Sequence, residues 1–450
     1  MSRRFSDAWI RRALSLEGAA GIGYDAIVTD SRTLGPHSLF VALAGETFDA
    51  HDFLGAARDA GATGAVVRAG TAAVDGLELY HVPDTLHALG DLAAAHRKSF
   101  PGPVVAITGQ NGKTSTKEMV GAVIATRWRT HRTRANLNNM VGVPMTILEA
   151  PPEAEALVVE AGANLPGEIA RYREIIDPDI ALVLNAGAGH LEGFGSVEGV
   201  IREKLSLARN VPLAIIGTTP PSLAPRGRAL ARRVITAGLR DADVLPAAVV
   251  MTADGRPRIT VDDVIFILAA RGRHQAGNAM FAWALVRELG LDHQTAADAL
   301  ERFTVPGGRG EFSQHGGLTV VNDGYNANPQ SFATAMALAA DLRGGRRLVF
   351  VAGSMRELGE HSESLHREVA AALAGLAPEV LALVGDFVPA FAPVRDRFSG
   401  VLVTAPDADA LAPLLAAELR GDELVVLKGS RGVTLERVLP AILARAATTP

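Results

Sequence analysis

The stretch VVAITGQNGKTSTKEM, Val104 to Met119, constrains the chain more than any other. Its short apolar run with β-branched residues reads as a buried strand, and TSTKEMVGAVIA beyond the glycines reads as a helix. A strand that passes through a glycine turn into a helix is the unit of a parallel sheet covered by helices. Gly109 and Gly112 permit tight backbone geometry, so successive N–H groups can converge on phosphate oxygens. The following helix adds its dipole and free donors. Lys113 can reach β- and γ-phosphates, and the Thr114 hydroxyl can ligate Mg²⁺. Gln110, Asn111 and Ser115 complete the loop TGQNGKTS. Ile107, however, stands where a Walker A motif has its first glycine. The plainer alternative is a βα turn that happens to carry a lysine. Gly-Lys-Thr at a helix start, straight after an apolar strand, favours the nucleotide.

The same alternation recurs along the chain. ALVVE (Ala156 to Glu160) and IALVLNAGAGH (Ile180 to His190) lead into glycine-rich loops, and RHQAGNAMFAWALVREL reads as a buried helix. Beyond Pro306, LTVVND, RLVFVAGS, VLALVGD, VLVTAP and ELVVLKGS give a second doubly wound pattern. Pro101-Gly102-Pro103 punctuates the end of a smaller α/β unit before it. The arginines between Arg226 and Arg233 read as one solvated helix face.

Composition narrows the function. A net charge of −5 argues against a nucleic-acid partner. With no cysteine, disulfides, thiolate metal sites and a cysteine nucleophile are excluded. The opening MSRRFSDAWIRRAL lacks the apolar core of a secretory signal, and no apolar run reaches the ~18 residues of a membrane helix. The expectation is a cytoplasmic protein without a membrane span.

TGQNGKTS is followed in order by NLNNMVGVP, VEAGANLPGEI, GHLEGFGSVEGVIREK, GRHQAGNA, PGGRGEF, NDGYNANPQS, MRELGEHSESLH and LKGSRG. Together these segments resemble the Mur ligases over nearly the whole chain, and DSRTLGPHSLFVALAGETFDAHDF resembles that family's nucleotide-sugar domain. The resemblance implies three α/β domains. They would be a small UDP-substrate domain over 1–102, a central P-loop-type parallel-sheet ATPase domain over 103–305, and a C-terminal Rossmann-like domain over 306–450 for the incoming dipeptide. It also implies an ATP- and Mg²⁺-dependent amide ligase acting through an acyl phosphate, expected to work as a monomer. MRELGEHSESLH, and the lack of an Asp-Asn-Pro-Arg signature, point to the branch that adds D-alanyl-D-alanine to UDP-N-acetylmuramoyl-tripeptide. A ligase adding diaminopimelate or lysine, and an ATP-binding regulator that no longer ligates, are the alternatives.

The remaining candidates divide by how they are read. Glu160 and His190 end apolar runs, where the carboxyl ends of parallel strands bind ligands. Glu160 suits Mg²⁺, with a solvent-facing strand end as the plainer reading. His190 reads from sequence as a hydrogen-bonded loop histidine, and the family places a histidine at a second metal. Lys204 reads by composition as a surface lysine; the resemblance alone makes it a carbamylated metal ligand, although Ser206 stands where a glutamate is common. By resemblance, Asn278, Arg309, Asp323, Tyr325 and Asn326 surround the nucleotide, with Gly324 departing from the usual pattern. Thr133, Asn138 and Asn139 would face the UDP-sugar, and Asp30, Ser31, Arg32, Thr47 and His51 its diphosphate end.

Overall fold

The computed structural model describes residues 3–45, 47–305 and 307–446. Pro306, where the third unit is expected to begin, lies outside them. Among the described residues no helix is long and apolar enough to cross a membrane.

Three parallel or mostly parallel sheets follow one another along the chain. The first has four parallel strands in the order Ala26–Val28, Ser38–Val41, Ala62–Arg68 and Glu78–Val82. The second has six, ordered Arg233–Ala237, Leu213–Gly217, Ile180–Val183, Val104–Thr108, Ala156–Glu160 and Thr130–Arg132, all parallel. The third runs Glu311–His315, Leu318–Asp323, Leu424–Lys428, Leu348–Gly353, Val380–Val384 and Val401–Ala405, with only its first strand antiparallel.

Burial explains the reading. Every residue of Val104–Thr108 and of Ala156–Glu160 is buried, as strands covered on both faces must be. Ile107 is fully buried, in register between Glu160 and Leu182. It is therefore a sheet-interior residue, and the loop that reaches for phosphate begins beyond it. Ile107→Gly removes a packed side chain and loosens a strand, and we expect a loss of about 4 kcal/mol in denaturant unfolding. An unchanged midpoint would mean that the residue could belong to the loop after all.

The helix Lys113–Ile124 buries all its residues except Lys113 and Ala122, and packs with Arg273–Leu289 in one apolar cluster. Two expectations need correction or addition. Arg226 to Arg233 is not one helix face: the helix Leu223–Gly227 stops, and Arg233 opens the next strand. An antiparallel sheet of Ala248–Met251, Pro257–Val261 and Val264–Ile267 has no counterpart in the sequence reading.

Candidate active site

The phosphate loop joins the carboxyl end of Val104–Thr108 to the helix at Lys113. Gly112 takes φ +81°, and a Cβ there would lie 2.7 Å from Asn278 Oδ1, so both backbone and space require glycine. The Lys113 ammonium donates to the carbonyls of Gly109 at 2.8 Å and Gln110 at 3.3 Å. Burial lowers its pKa, with Glu160 opposing and Arg309 adding to the shift.

Glu160 is buried at 1% exposure, which disposes of the solvent-facing alternative. One carboxylate oxygen accepts the Thr114 hydroxyl at 3.0 Å, the other the Asn138 amide at 2.8 Å. Its backbone N–H donates to Thr133 Oγ1 at 2.9 Å. Thr114 and Glu160 therefore present hard oxygen donors side by side at the helix start.

Beside them, a cavity of about 550 Å³ is walled by two units of the chain. Gln110 through Ser115 and Asn278 come from one side, and Arg309, Asp323, Tyr325 and Asn326 from the other. The Arg309 guanidinium stacks 3.8 Å from the Tyr325 ring centroid, and Asp323 pairs with the buried Lys428 at 3.0 Å.

Lys204, on the helix Val197–Leu205, is 1% exposed, against its compositional reading as a surface lysine. Its amine faces the Phe194 ring at 5.6 Å. Burial, then the charge of Lys113, pushes its pKa down to about 7, against the pull of Glu203 and Glu168. His190, at φ +53°, sets its Nδ1 2.5 Å from the Glu357 carboxylate across the units. That buried Nδ1 makes no aligned hydrogen bond among the described residues.

Residues 107–286 match the Mur ligase middle domain, and 308–431 the Mur ligase glutamate ligase domain. The chain is 35% identical over 439 residues to the UDP-N-acetylmuramoyl-tripeptide–D-alanyl-D-alanine ligase of Escherichia coli strain K12, covering 95% of each. The chain belongs to the Mur ligase family. Among solved structures, MurF from Acinetobacter baumannii superposes with a TM-score of 0.88 at 28% identity, over 98% of this chain and 99% of that one. MurF ligase from Thermotoga maritima in complex with ADP gives 0.83 at 26%, over 94% and 98%.

Set against this Mur ligase's structure, the sequence candidates fall into three groups. All the nucleotide candidates except Gly109 line the cavity. Glu160, His190 and Lys204 are not part of that lining. The sugar-facing residues have other partners. Asn138 holds Glu160, Asn139 Oδ1 accepts the N–H groups of Val141 and Gly142 at the start of Gly142–Leu148, and Thr133 is buried behind Glu160. In the first unit His51 is tied at both ring nitrogens, to Asp49 at 2.5 Å and to the Arg68 backbone N–H at 2.9 Å, while Asp30 pairs locally with Arg32. Ser31 is half-buried, and Arg32 and Thr47 are exposed.

Sequence reading missed several members of the site. Asn185 brackets Asn111, accepting its N–H at 2.9 Å and donating to its carbonyl at 3.0 Å. Its place just past the strand Ile180–Val183 was the available signal. Gln275 bonds Asn278 at 3.0 Å, and His274 lines the cavity with its pKa pushed down to about 4 by burial. Among the described residues no three histidine, aspartate or glutamate side chains cluster to hold a metal.

Proposed function

We propose that this Mur ligase adds D-alanyl-D-alanine to UDP-N-acetylmuramoyl-tripeptide at the expense of ATP, in peptidoglycan precursor synthesis in the cytoplasm. The observation that carries the reading is the two-walled cavity at the Lys113 loop, in a chain that aligns over 95% of its length with a UDP-N-acetylmuramoyl-tripeptide–D-alanyl-D-alanine ligase. The ADP of the Thermotoga maritima relative supports nucleotide in that cavity.

Residues 1–102 would hold the uridine end, 103–305 the ATP and the tripeptide carboxylate, and 306–450 the dipeptide. The γ-phosphoryl group passes to the tripeptide's terminal carboxylate, giving an acyl phosphate and ADP. The dipeptide amine then attacks the carbonyl carbon, and the tetrahedral intermediate expels phosphate as the amide forms. Carboxylate is a poor electrophile, and the phosphoryl group supplies the leaving group. Lys113 and Arg309 stabilise the charge in transfer, and the loop N–H groups orient it.

Thr114 and Glu160 suit Mg²⁺, a hard cation that takes one or two protein oxygens and completes its shell with phosphates and water. When bound, Mg²⁺ neutralises charge on the phosphates. His190 is the family's candidate at a second metal, and its nitrogen suits this ion less well. Lys204 would supply an anionic ligand once its neutral amine had added CO₂ and lost a proton; its burial and depressed pKa support that role.

The test is phosphate release from ATP and Mg²⁺ with UDP-N-acetylmuramoyl-tripeptide, with and without D-alanyl-D-alanine, while the product is followed by mass. Release that needs both substrates, with pentapeptide formed, is expected. No pentapeptide would turn attention to diaminopimelate or lysine with the shorter precursor, and then to the non-ligating regulator.

A further inference from the structure

Asn111 sits at the tip of the phosphate loop, and its contacts divide cleanly. Its backbone belongs to the middle sheet's own loops through Asn185. Its side chain belongs to the third unit. Asn111 Nδ2 donates to Gln330 Oε1 at 2.9 Å and to Asn328 Oδ1 at 3.3 Å, and Asn328 Nδ2 returns a bond to Asn111 Oδ1 at 2.8 Å. Asn328 is 2% exposed and is also the N-cap of the helix Pro329–Arg343, accepting the Ser331 N–H at 2.9 Å. Gln330 lines the cavity and reaches toward Gly187, where an added Cβ would come within 3.2 Å of its Oε1.

We propose that Asn328 and Gln330 are positioning residues that set the phosphate loop through Asn111, so that the loop takes its nucleotide-holding shape only when the third unit is docked. The sequence assigned Asn111 to the nucleotide; its side-chain amide is instead committed to two carboxamides from across the cavity. Paired amides satisfy one another's donors and acceptors, and separating the units leaves that exchange to water. The backbone bracket from Asn185 then holds the loop from one side only. Closure of the third unit thus becomes a condition for gripping phosphate, and not merely for bringing the second substrate. This inference rests on the loop being the phosphate site.

The test is a double-mutant cycle on the full chain with Asn111→Ala and Gln330→Ala, read as the affinity for a fluorescent ATP analogue with Mg²⁺. Asn328 is left alone because it caps a helix, and its loss would cost about 1 kcal/mol for that reason alone. Gln330→Ala is expected to bind about fivefold more weakly, the scale of a lost neutral hydrogen bond, and Asn111→Ala at least as weakly, because it also loses both bonds with Asn328. The double variant is expected to bind no more weakly than Asn111→Ala alone, because Gln330 acts on the loop only through Asn111. The melting temperature of Gln330→Ala, and the affinity of each variant for the uridine nucleotide substrate, should stay at wild-type values. Single-variant losses that multiply in the double variant would overturn the proposal, since they would mean that each side chain contacts the nucleotide independently. Wild-type affinity in Gln330→Ala would also overturn it. Wild-type binding in the same titration tests the phosphate site itself, which keeps the two failures distinguishable.

Discussion

Replacing Lys113 with alanine is expected to lower ligation about a thousandfold while leaving the fold intact. The ammonium rests on the Gly109 and Gln110 carbonyls at the wall of the cavity, within the influence of Glu160 and Arg309. A cation placed where charge develops during transfer is worth roughly 10²–10³ in rate, because it is already oriented and partly shielded from water. Its removal uncovers two carbonyls that water can satisfy and takes nothing from the apolar cluster behind the loop. Thermal unfolding of Lys113→Ala should therefore match wild type, whereas both phosphate release and pentapeptide formation collapse. Turnover within tenfold of wild type would remove the loop from the mechanism.

Lys204→Ala should be almost as damaging, and it should be reversible in a way that Lys113→Ala is not. A lysine amine with a pKa near 7 is about half neutral at neutral pH, and only the neutral form adds CO₂. Below that pH the ammonium form takes over, so wild-type activity should fall as pH drops through about 7. In the alanine variant the space left beside Phe194 can admit a small carboxylate. A short-chain carboxylic acid is then expected to restore activity, without the wild-type loss that comes from protonating the amine. Full activity in Lys204→Ala without any additive would end the carbamate reading, and Ser206, which bonds the Glu203 carbonyl at 2.6 Å, offers no carboxylate to replace it.

What the sequence revealed depended on whether a residue's role is local. The strand, the four-residue loop and the helix at Lys113 follow from hydrophobic period and glycine placement, and nearly all the nucleotide candidates do converge on one cavity. Ile107 was puzzling only as a motif position; as a buried strand residue it is ordinary. Roles that depend on a distant partner were not legible. Nothing local tells Asn138 to hold Glu160, or ties His51 to Arg68. The helix carrying Lys204 reads as a charged surface helix until the elements that cover it are known. The pairing of His190 with Glu357 joins residues 167 positions apart, beyond the reach of any periodicity.

The phosphate loop also joins two regimes of motion. Its helix, Lys113–Ile124, is locked into the apolar cluster with Arg273–Leu289, so its amides can exchange with solvent only through an opening of the core. The tip at Asn111, a few residues away, is fastened by the side chains of Asn185, Asn328 and Gln330, and such fastenings open without unfolding anything. Nucleotide can therefore slow deuterium uptake at the tip while leaving the helix behind it unchanged. The loop reports what the site holds, and the helix reports how stable the middle unit is.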